Sequence, residues 1–304
     1  MKGNQELLTI KSISQLMRYL GQPTPLHPLI ALVNYSTMPA EKFEKGQKVS
    51  IDFYKISFKT HFSGQVKYGQ GYYDFDEGGL AFLKPGQVVV SSYDMDSYEG
   101  YVLYFHPDFI RSYPLANAIM QYGFFSYDVS EALFLSAREK EVISNLFATI
   151  AAELENNIDN FSQDVLVSQI ELLLNYSNRF YNRQFITRKT INHDILVRFE
   201  QLLEGYFKDD NALTNGLPSV HYLSEKLQLS SRYLSDLLKS VTGLNTQQHI
   251  QNRVIDEAKN LLSTTALSVA EVAYKLGFEH PQSFHKLFKK KTALSPLAFR
   301  ESFN

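Results

Sequence analysis

The sequence contains no cysteine and no tryptophan among its 304 residues. Without cysteine, disulfide bonds, thiolate metal sites and a cysteine nucleophile are excluded. No stretch approaches the roughly 18 uncharged apolar residues that a membrane helix needs. Residues 1–20 carry Lys2, Glu6, Lys11 and Arg18 where a signal peptide would have an apolar run. These absences predict a cytoplasmic protein with no membrane partner.

Several catalytic motifs are also missing from the sequence. It has no P-loop, no Gly-x-Ser-x-Gly and no His-Glu-x-x-His motif, so the common hydrolase mechanisms have no support. His61 and His106 fall in a β-rich region, and neither belongs to a His-x-His pair. A catalytic metal site needs about three protein ligands. We therefore predict a protein that is not an enzyme, with no catalytic residue, no metal and no cofactor.

The charge is unevenly distributed along the chain. The formal net charge of -2 argues at first against a nucleic-acid partner. Residues 218–304, however, contain 11 Lys and Arg against 7 Asp and Glu, a net charge of +4, which leaves −6 for the remainder. A basic C-terminal third is compatible with a domain that binds a polyanion, but the charge alone favours the simpler interpretation, a solubilising surface. The length by itself predicts about two domains.

Residues from about 49 to 106 form short β-branched and aromatic runs that are separated by turn residues. Gly78-Gly79 and Lys84-Pro85-Gly86 are the clearest breaks. This pattern predicts a small barrel or sandwich. Its aromatic side chains either line a ligand cavity or fill the core. The candidates for effector binding are Tyr54, Phe58, Tyr72 and Tyr73.

Helical patterns follow from about residue 107. Ser136-Ala-Arg-Glu139 is a capping box ahead of a helix that extends to about Asn156. Two more helices are predicted, from Asp164 to about Phe185 and from Ile191 to Phe207, and the polar loop 208–217 after them is typical of a domain linker. The cluster Leu172–Leu174 indicates either helix packing within the domain or homodimerisation along this helix.

The C-terminal third contains an internal repeat. Val220–Leu227 matches Val269–Leu276 at an offset of 49 residues, and Leu234–Lys239 matches Phe284–Lys289 at an offset of 50. Each unit reads as a short helix, a tight turn and a second helix. A single copy is equally well explained by a plain helical hairpin. Two copies in one basic segment favour a pair of DNA-binding helix-turn-helix units.

The small residue and the turn residue of each unit support this interpretation. Ala273 lets a following helix cross closely, Gly277 permits a positive φ, and Phe278 fills the corner. The first unit has Ser224 and Gln228 at the matching positions. The helix predicted between the units, 246–262, spans roughly 25 Å. The two second helices then reach successive major-groove segments, which recur about every 34 Å.

These residues resemble the AraC/XylS family of bacterial transcription regulators over about 218–303. The segments that carry the resemblance are Ser230–Lys239, Ala258–Leu262, Val272–Phe278, Ser283–Lys289, and Ser295-Pro296 with Phe299-Arg300. One departure is Ala293, where the family usually has glycine; we interpret it as local stiffening. The resemblance implies sequence-specific promoter binding and the recruitment or blocking of RNA polymerase.

The polar positions between the buried ones on each second helix are the predicted DNA contacts. Arg232 is suited to guanine and Gln282 to adenine, whereas the lysines are suited to phosphates. Asp236 either accepts from cytosine or braces Arg232. The predicted DNA-binding residues are Ser231, Arg232, Ser235, Lys239, Gln282, Ser283, His285, Lys286 and Lys289.

The N-terminal region resembles the cupin-like sensor domain of the same family in the order of its elements and in the turn Lys84–Gln87. The predicted fold class is therefore α+β with two domains: a cupin-like β-barrel with following helices, and an all-α domain with two helix-turn-helix units joined by a central helix. The sensor domain is predicted at 1–190 (barrel about 30–106, helices about 107–186), a helix and linker at 191–217, and the DNA-binding domain at 218–304.

The resemblance also implies partners for the chain. The helices after 136 resemble the family's dimerisation helices, with Leu166, Ile170, Leu173 and Leu174 as candidate contacts. We expect a homodimer that binds double-stranded promoter DNA and is controlled by a small-molecule effector. Two alternatives stay open: a constitutive DNA-binding regulator whose N-terminal domain only dimerises, and a cupin-type enzyme that a DNA-targeting domain delivers.

Overall fold

The computed structural model describes residues 7–38, 47–61, 65–68, 71–74, 78–90, 99–128, 131–156, 159, 161–187, 189–208 and 211–302. The chain forms two compact units, Met1–Gln184 and Phe185–Asn304. The first contains the strands and the second is helical, in agreement with the predicted fold class.

The described strands of the first unit form three sheets. An antiparallel five-stranded sheet has the order β10-β7-β4-β9-β2, a three-stranded sheet has the order β1-β3-β8 with β1 parallel to β3, and β5 pairs with β6. The strands are β1 Leu8–Ile10, β2 Ile30–Asn34, β3 Lys48–Ile51, β4 Tyr54–His61, β5 Gln65–Tyr68, β6 Gly71–Asp74, β7 Gly79–Leu83, β8 Val88–Val90, β9 Glu99–Phe105 and β10 Leu133–Phe134.

Helices cover one face of the five-stranded sheet. The capping box of Ser136 and Glu139 is present and begins the long helix α4, as predicted. The next helix, α5, extends across the boundary of the two units. The helices in the first part of the chain are α1 Ile13–Tyr19, α2 Pro107–Ile110, α3 Leu115–Ala118, α4 Ala137–Glu155 and α5 Ser162–Thr187.

The central strand β4 has two different buried faces. Tyr54, Ile56 and Phe58 are buried on the helix side, where the ring of Phe58 stacks on that of Phe147 with centroids 5.3 Å apart. The alternate residues, including Lys55 and Ser57, lie on the opposite face of the pleat. That face looks toward the three-stranded sheet, because Val49 and Ile51 of β3 share a core cluster with residues of β2 and β9.

The structure places two of the predicted effector contacts in the packed core. Tyr54 packs against Phe105 and Phe125, with ring centroids 5.0 and 5.1 Å away, and Phe58 packs against Phe147. Both side chains fill the layer between sheet and helices instead of lining the space between the sheets. Tyr72 and Tyr73 belong to β6, and their side chains lie outside the described residues.

The predicted dimer contacts on α5 are also buried in the single chain. Leu166, Ile170, Leu173 and Leu174 are each at most 4% exposed within the single chain. Elsewhere on α5, the Tyr122 hydroxyl donates to Oδ1 of the exposed Asn175 at 2.8 Å, which links the helix to the preceding segment. These four residues are therefore part of the core of the first unit and not of a free surface.

The second unit consists of eight described helices. They are α6 Lys189–Lys208, α7 Asn211–Asn215, α8 Val220–Leu227, α9 Ser231–Thr242, α10 Thr246–Thr264, α11 Val269–Lys275, α12 Pro281–Thr292 and α13 Pro296–Glu301. Helix α6 packs within this unit, since Phe199 contacts His249 edge-to-face at 5.5 Å and the Tyr206 hydroxyl donates to the Gly216 carbonyl at 2.9 Å. The segment expected as helix and linker, 191–217, thus contains packed structure, including the short helix α7 with buried Ala212.

Candidate nucleic-acid interface

The first helix-turn-helix unit consists of α8 and α9. The Ser219 side chain caps α8 by accepting from the Tyr222 amide, and Ser230 caps α9 in the same way with the Tyr233 amide. Between them Gln228 adopts the left-handed conformation, with φ 59°. A glutamine therefore occupies the turn position that the second unit gives to glycine. The local caps and this turn set the angle at which α9 leaves α8.

The second unit consists of α11 and α12 and is built more tightly. The capping box of Ser268 and Glu271 begins α11, and the Ser268 amide and hydroxyl hold the pKa of Glu271 below its usual value. Ala273 is fully buried and Phe278 is nearly so, as the predicted helix crossing requires. Pro281 occupies the first turn of α12, where its fixed φ suits the helix and no hydrogen bond is lost.

Gly277 is required by both its conformation and its surroundings. Its φ is +88°, and a Cβ atom at this position would lie 2.6 Å from the carbonyl carbon of Gly216 and 2.7 Å from the carbonyl oxygen of Ala212. Real Cβ atoms do not approach backbone this closely. The glycine therefore lets the turn of the second unit pack directly on the segment that follows α7.

Helix α10 joins the two units and fixes their spacing. It contains 19 residues, so it spans roughly 28 Å. Its buried positions include Ile250, Val254, Ala258 and Leu262, which recur every four residues and form one continuous apolar stripe. The predicted 246–262 helix is thus present and continues to Thr264.

The predicted contacts on α12 share one exposed face. Phe284 and Phe288 are fully buried, and the polar residues between them are exposed. The helix contains no acidic residue, and its last turn carries Lys289, Lys290 and Lys291. The exposed candidates on this helix are Gln282, Ser283, His285, Lys286 and Lys289.

On α9 the structure separates exposed candidates from engaged ones. Arg232 and Lys239 are exposed, and Arg232 Nε donates to Asp236 Oδ2 at 3.0 Å, so Asp236 braces the guanidinium. Ser231 is different, because its hydroxyl lies 2.8 Å from that of Ser224. The Ser235 hydroxyl donates to Thr246 Oγ1 at 2.9 Å. Ser231 and Ser235 therefore make hydrogen bonds inside the domain, apart from the exposed face that we predict reads DNA.

A second polar site was not found from the sequence. Lys55, Gln87 and Tyr104 line a cavity between the two larger sheets of the first unit. Strand alternation alone does not distinguish a lysine that faces water from one that faces a cavity, so Lys55 was not predicted. Lys55 lies near the middle of a long β run, with apolar residues on both sides in the sequence. This position is the one indication that its side chain faces the interior.

Metal-binding clusters and membrane helices are absent from the described residues. No group of three potential metal ligands occurs among them. His106 caps α2, accepting from the Asp108 amide through Nδ1, and the His61 side chain lies outside the described part. None of the helices in the described ranges is long and apolar enough to cross a membrane.

Two protein families match this chain in separate segments. A family described as "AraC-like ligand binding domain" matches residues 48–170, which include β3 to β10 and α4. A family described as "Helix-turn-helix domain" matches residues 223–302, which include both helix-turn-helix units. Together the two matches cover about two thirds of the chain.

Individual relatives match parts of the chain. The HTH-type transcriptional activator RhaS of Citrobacter koseri is 30% identical over 117 residues, 35% of this chain and 42% of that protein. Histidine kinase P4 of Formosa agariphila is 29% identical over 128 residues, 41% of this chain and 9% of that protein. This chain therefore spans less than half the length of these two relatives.

Among solved structures, the C-terminal domain of the response regulator yesN from Fusobacterium nucleatum is 34% identical, with a TM-score of 0.30; the match covers 33% of this chain and 96% of that one. The order of an AraC-like ligand binding domain and a helix-turn-helix domain agrees with the order of the two units. The chain belongs to the AraC/XylS family of regulators.

Proposed function

We propose that the chain is a sequence-specific transcription regulator that binds double-stranded promoter DNA through α9 and α12. The observation that carries this proposal is the pair of helix-turn-helix units, each with exposed polar side chains on its second helix, held on one connecting helix. The roughly 28 Å length of α10 suits two major-groove segments on one face of DNA, which recur about every 34 Å.

The two second helices have different roles in this proposal. Arg232 on α9 reads guanine bidentately, with Asp236 holding the guanidinium plane. Gln282 on α12 reads adenine, and Ser283, His285 and Lys286 lie on the same exposed face. Lys239 and Lys289 neutralise phosphates, which adds affinity and salt dependence without sequence choice.

The distribution of charge makes α12 the stronger phosphate contact. It carries four lysines and no acidic residue, whereas α9 offsets Arg232 and Lys239 with Asp236. The net charge of residues 218–304 is only +4. We therefore propose that base contacts and the avidity of a homodimer supply much of the affinity. RNA polymerase is the partner that the DNA-bound regulator would recruit or block.

Control by a small-molecule effector is part of the proposal. The match to an AraC-like ligand binding domain supports it, and so does a cavity of about 180 Å³ between the sheets of the first unit. The alternative is a constitutive regulator whose first unit only dimerises. A ligand that raises the melting temperature of that unit would favour effector control, because binding to the folded state stabilises it.

The experiment that tests DNA binding is selection of bound fragments from a random DNA pool with the purified full chain. We expect enrichment of a site with two short blocks about one helical turn apart. A pool that stays random after repeated rounds would contradict the proposal. The doubly substituted Arg232→Ala, Gln282→Ala chain is the matched control, and we expect it to lose the enrichment while its far-UV circular dichroism stays that of the wild type.

A further inference from the structure

A cavity of about 180 Å³ lies between the two larger sheets of the first unit. Its walls come from β3 and β8 on one side and from β4, β7 and β9 on the other, and Leu16 and Leu20 contribute from the region of α1. Most of the lining is aliphatic, including Val49, Ile51 and Leu83. An apolar cavity of roughly 150 Å³ accommodates benzene. The space therefore suits a single ring or a short aliphatic chain.

Among the described residues, Lys55 is the one cation that lines this cavity. On the sheet it lies between Leu83 of β7 and Tyr104 of β9, which are its partners in register. Directly opposed side chains on one face lie about 5 Å apart. In the described residues its ammonium group has neither an ion pair nor a hydrogen bond.

Lys55 is partly buried, and removing part of the hydration of its ammonium group without a counterion is costly. Burial lowers the pKa of Lys55 to about 8 and, together with the charge of Lys55, lowers that of Lys59 to about 7. Lysines in protein interiors are normally paired, because desolvating an isolated charge is unfavourable. A methionine would fill the same position at lower cost. The lysine is therefore explained by an anion that enters the cavity.

Two further hydrogen-bond donors accompany Lys55 in the lining. Tyr104 is buried, and burial followed by the charge of Tyr35 raises its pKa well above the usual value, so its hydroxyl stays protonated and can donate. Gln87 Oε1 accepts from the Lys84 amide at 3.3 Å, which leaves the side-chain NH₂ group to donate elsewhere. One charged and two neutral donors suit the two oxygens of a carboxylate.

We propose that this cavity binds a small organic carboxylate, with its carboxylate group on Lys55, Tyr104 and Gln87 and its apolar body against the aliphatic walls. The proposal rests on the proposed function, because it gives the chemical class of the effector of the first unit. The aliphatic lining distinguishes such a ligand from inorganic phosphate, which lacks an apolar body to bury.

The test is isothermal titration of the full chain with benzoate and hexanoate, each compared with its neutral amide, benzamide or hexanamide, and with inorganic phosphate. We expect the two carboxylates to bind, and the amides and phosphate to bind at least about 10-fold more weakly. Lys55→Met is expected to weaken the carboxylates by about 10- to 100-fold and to leave the amides unchanged. Tyr104→Phe should weaken the carboxylates less.

Two controls keep this test decisive. Lys48→Met removes an exposed lysine of β3 and should bind both carboxylates as the wild type does. Thermal melting of Lys55→Met checks that the variant is folded, and we expect it to be at least as stable as the wild type. The inference is overturned if neither carboxylate binds, if phosphate or the amides bind as well as the acids, or if Lys55→Met binds benzoate unchanged. Any of these results with DNA binding intact would leave the proposed DNA-binding function standing.

Discussion

The hydroxyl groups of Ser224 and Ser231 lie 2.8 Å apart and hydrogen bond the first helix of one helix-turn-helix unit to the first turn of its second helix. Ser224 also donates to the His221 carbonyl at 2.9 Å. At the repeat positions the second unit has Ala273 and Pro281, which have no side-chain hydroxyl. The two units thus fix the same helix crossing with different chemistry.

This contact gives a prediction for Ser231. Ser231→Ala removes one member of a half-buried hydrogen bond, so we expect the free energy of unfolding of the second unit to fall by about 1 kcal/mol while DNA sequence preference stays unchanged. Ser283→Ala is the matched control on exposed α12, and its stability should change by less than about 0.5 kcal/mol. Urea unfolding measures both. A Ser231→Ala chain with altered base preference would show that Ser231 contacts DNA directly.

A comparison of substitutions at Gly277 and Gly243 distinguishes the cost of a positive φ from the cost of a steric clash. Both have positive φ, +88° and +79°, but of these two glycines only Gly277 has backbone atoms within 3 Å of a built Cβ. We expect Gly243→Ala to cost about 1 kcal/mol of unfolding free energy, and Gly277→Ala about 3 kcal/mol or more, because the backbone near Gly216 must move. Equal melting temperatures for the two variants would contradict the close packing at Gly277.

Ala293 gives a prediction of the opposite sign. It adopts the left-handed conformation at the end of α12, with φ 64°, where Gly243 occupies the equivalent position after α9. Ala293→Gly should raise the free energy of unfolding by about 1 kcal/mol, since an alanine is strained there. Ala298→Gly within α13 should lower it by about the same amount. Thermal unfolding compares them, and destabilisation by Ala293→Gly would refute the strain argument.

Sequence reasoning succeeded where the signals are local. Caps such as Ser136 with Glu139, and the spacing of Phe284 and Phe288, depend on residues a few positions apart, so they predicted helix starts and the exposed face of α12. It did not show which layer Tyr54 and Phe58 pack in, because alternation shows that a strand has two faces and not what covers each one. On α5, Leu173 and Leu174 are buried in the core of the first unit. In a sequence, two leucines that pack in a core cannot be distinguished from two that form a dimer interface.

Two partly buried lysines, Lys55 and Lys59, predict how stability depends on pH. An unfolded lysine has a pKa near 10.4, and burial lowers the pKa of Lys55 to about 8. Between about pH 8 and 10.4 the unfolded chain holds more protons, so the stability of the wild type rises with pH in this window. Lys59 has a pKa of about 7, so its contribution also raises the stability with increasing pH, beginning at about pH 7.

Lys55→Met should therefore be more stable than the wild type at pH 7, by about 1–3 kcal/mol, and this advantage should shrink as the pH rises above 8. Tyr104 is the titratable group that faces Lys55 from β9, and it stays neutral over this range because its pKa is raised. Thermal unfolding at pH 6, 7 and 9 tests the prediction, with Lys48→Met as the exposed control. A variant that is less stable than the wild type at pH 7 would contradict burial of the charge.

The most direct test of the account is the affinity of single variants for a DNA site selected by the wild-type chain, measured by fluorescence anisotropy at fixed salt. We expect Arg232→Ala and Gln282→Ala each to lose about 1–3 kcal/mol on the selected site and nothing on random DNA. Gln201→Ala, an exposed glutamine of α6, should bind both as the wild type does. If Arg232→Ala and Gln282→Ala bind the selected site as tightly as the wild type, α9 and α12 do not read DNA as proposed.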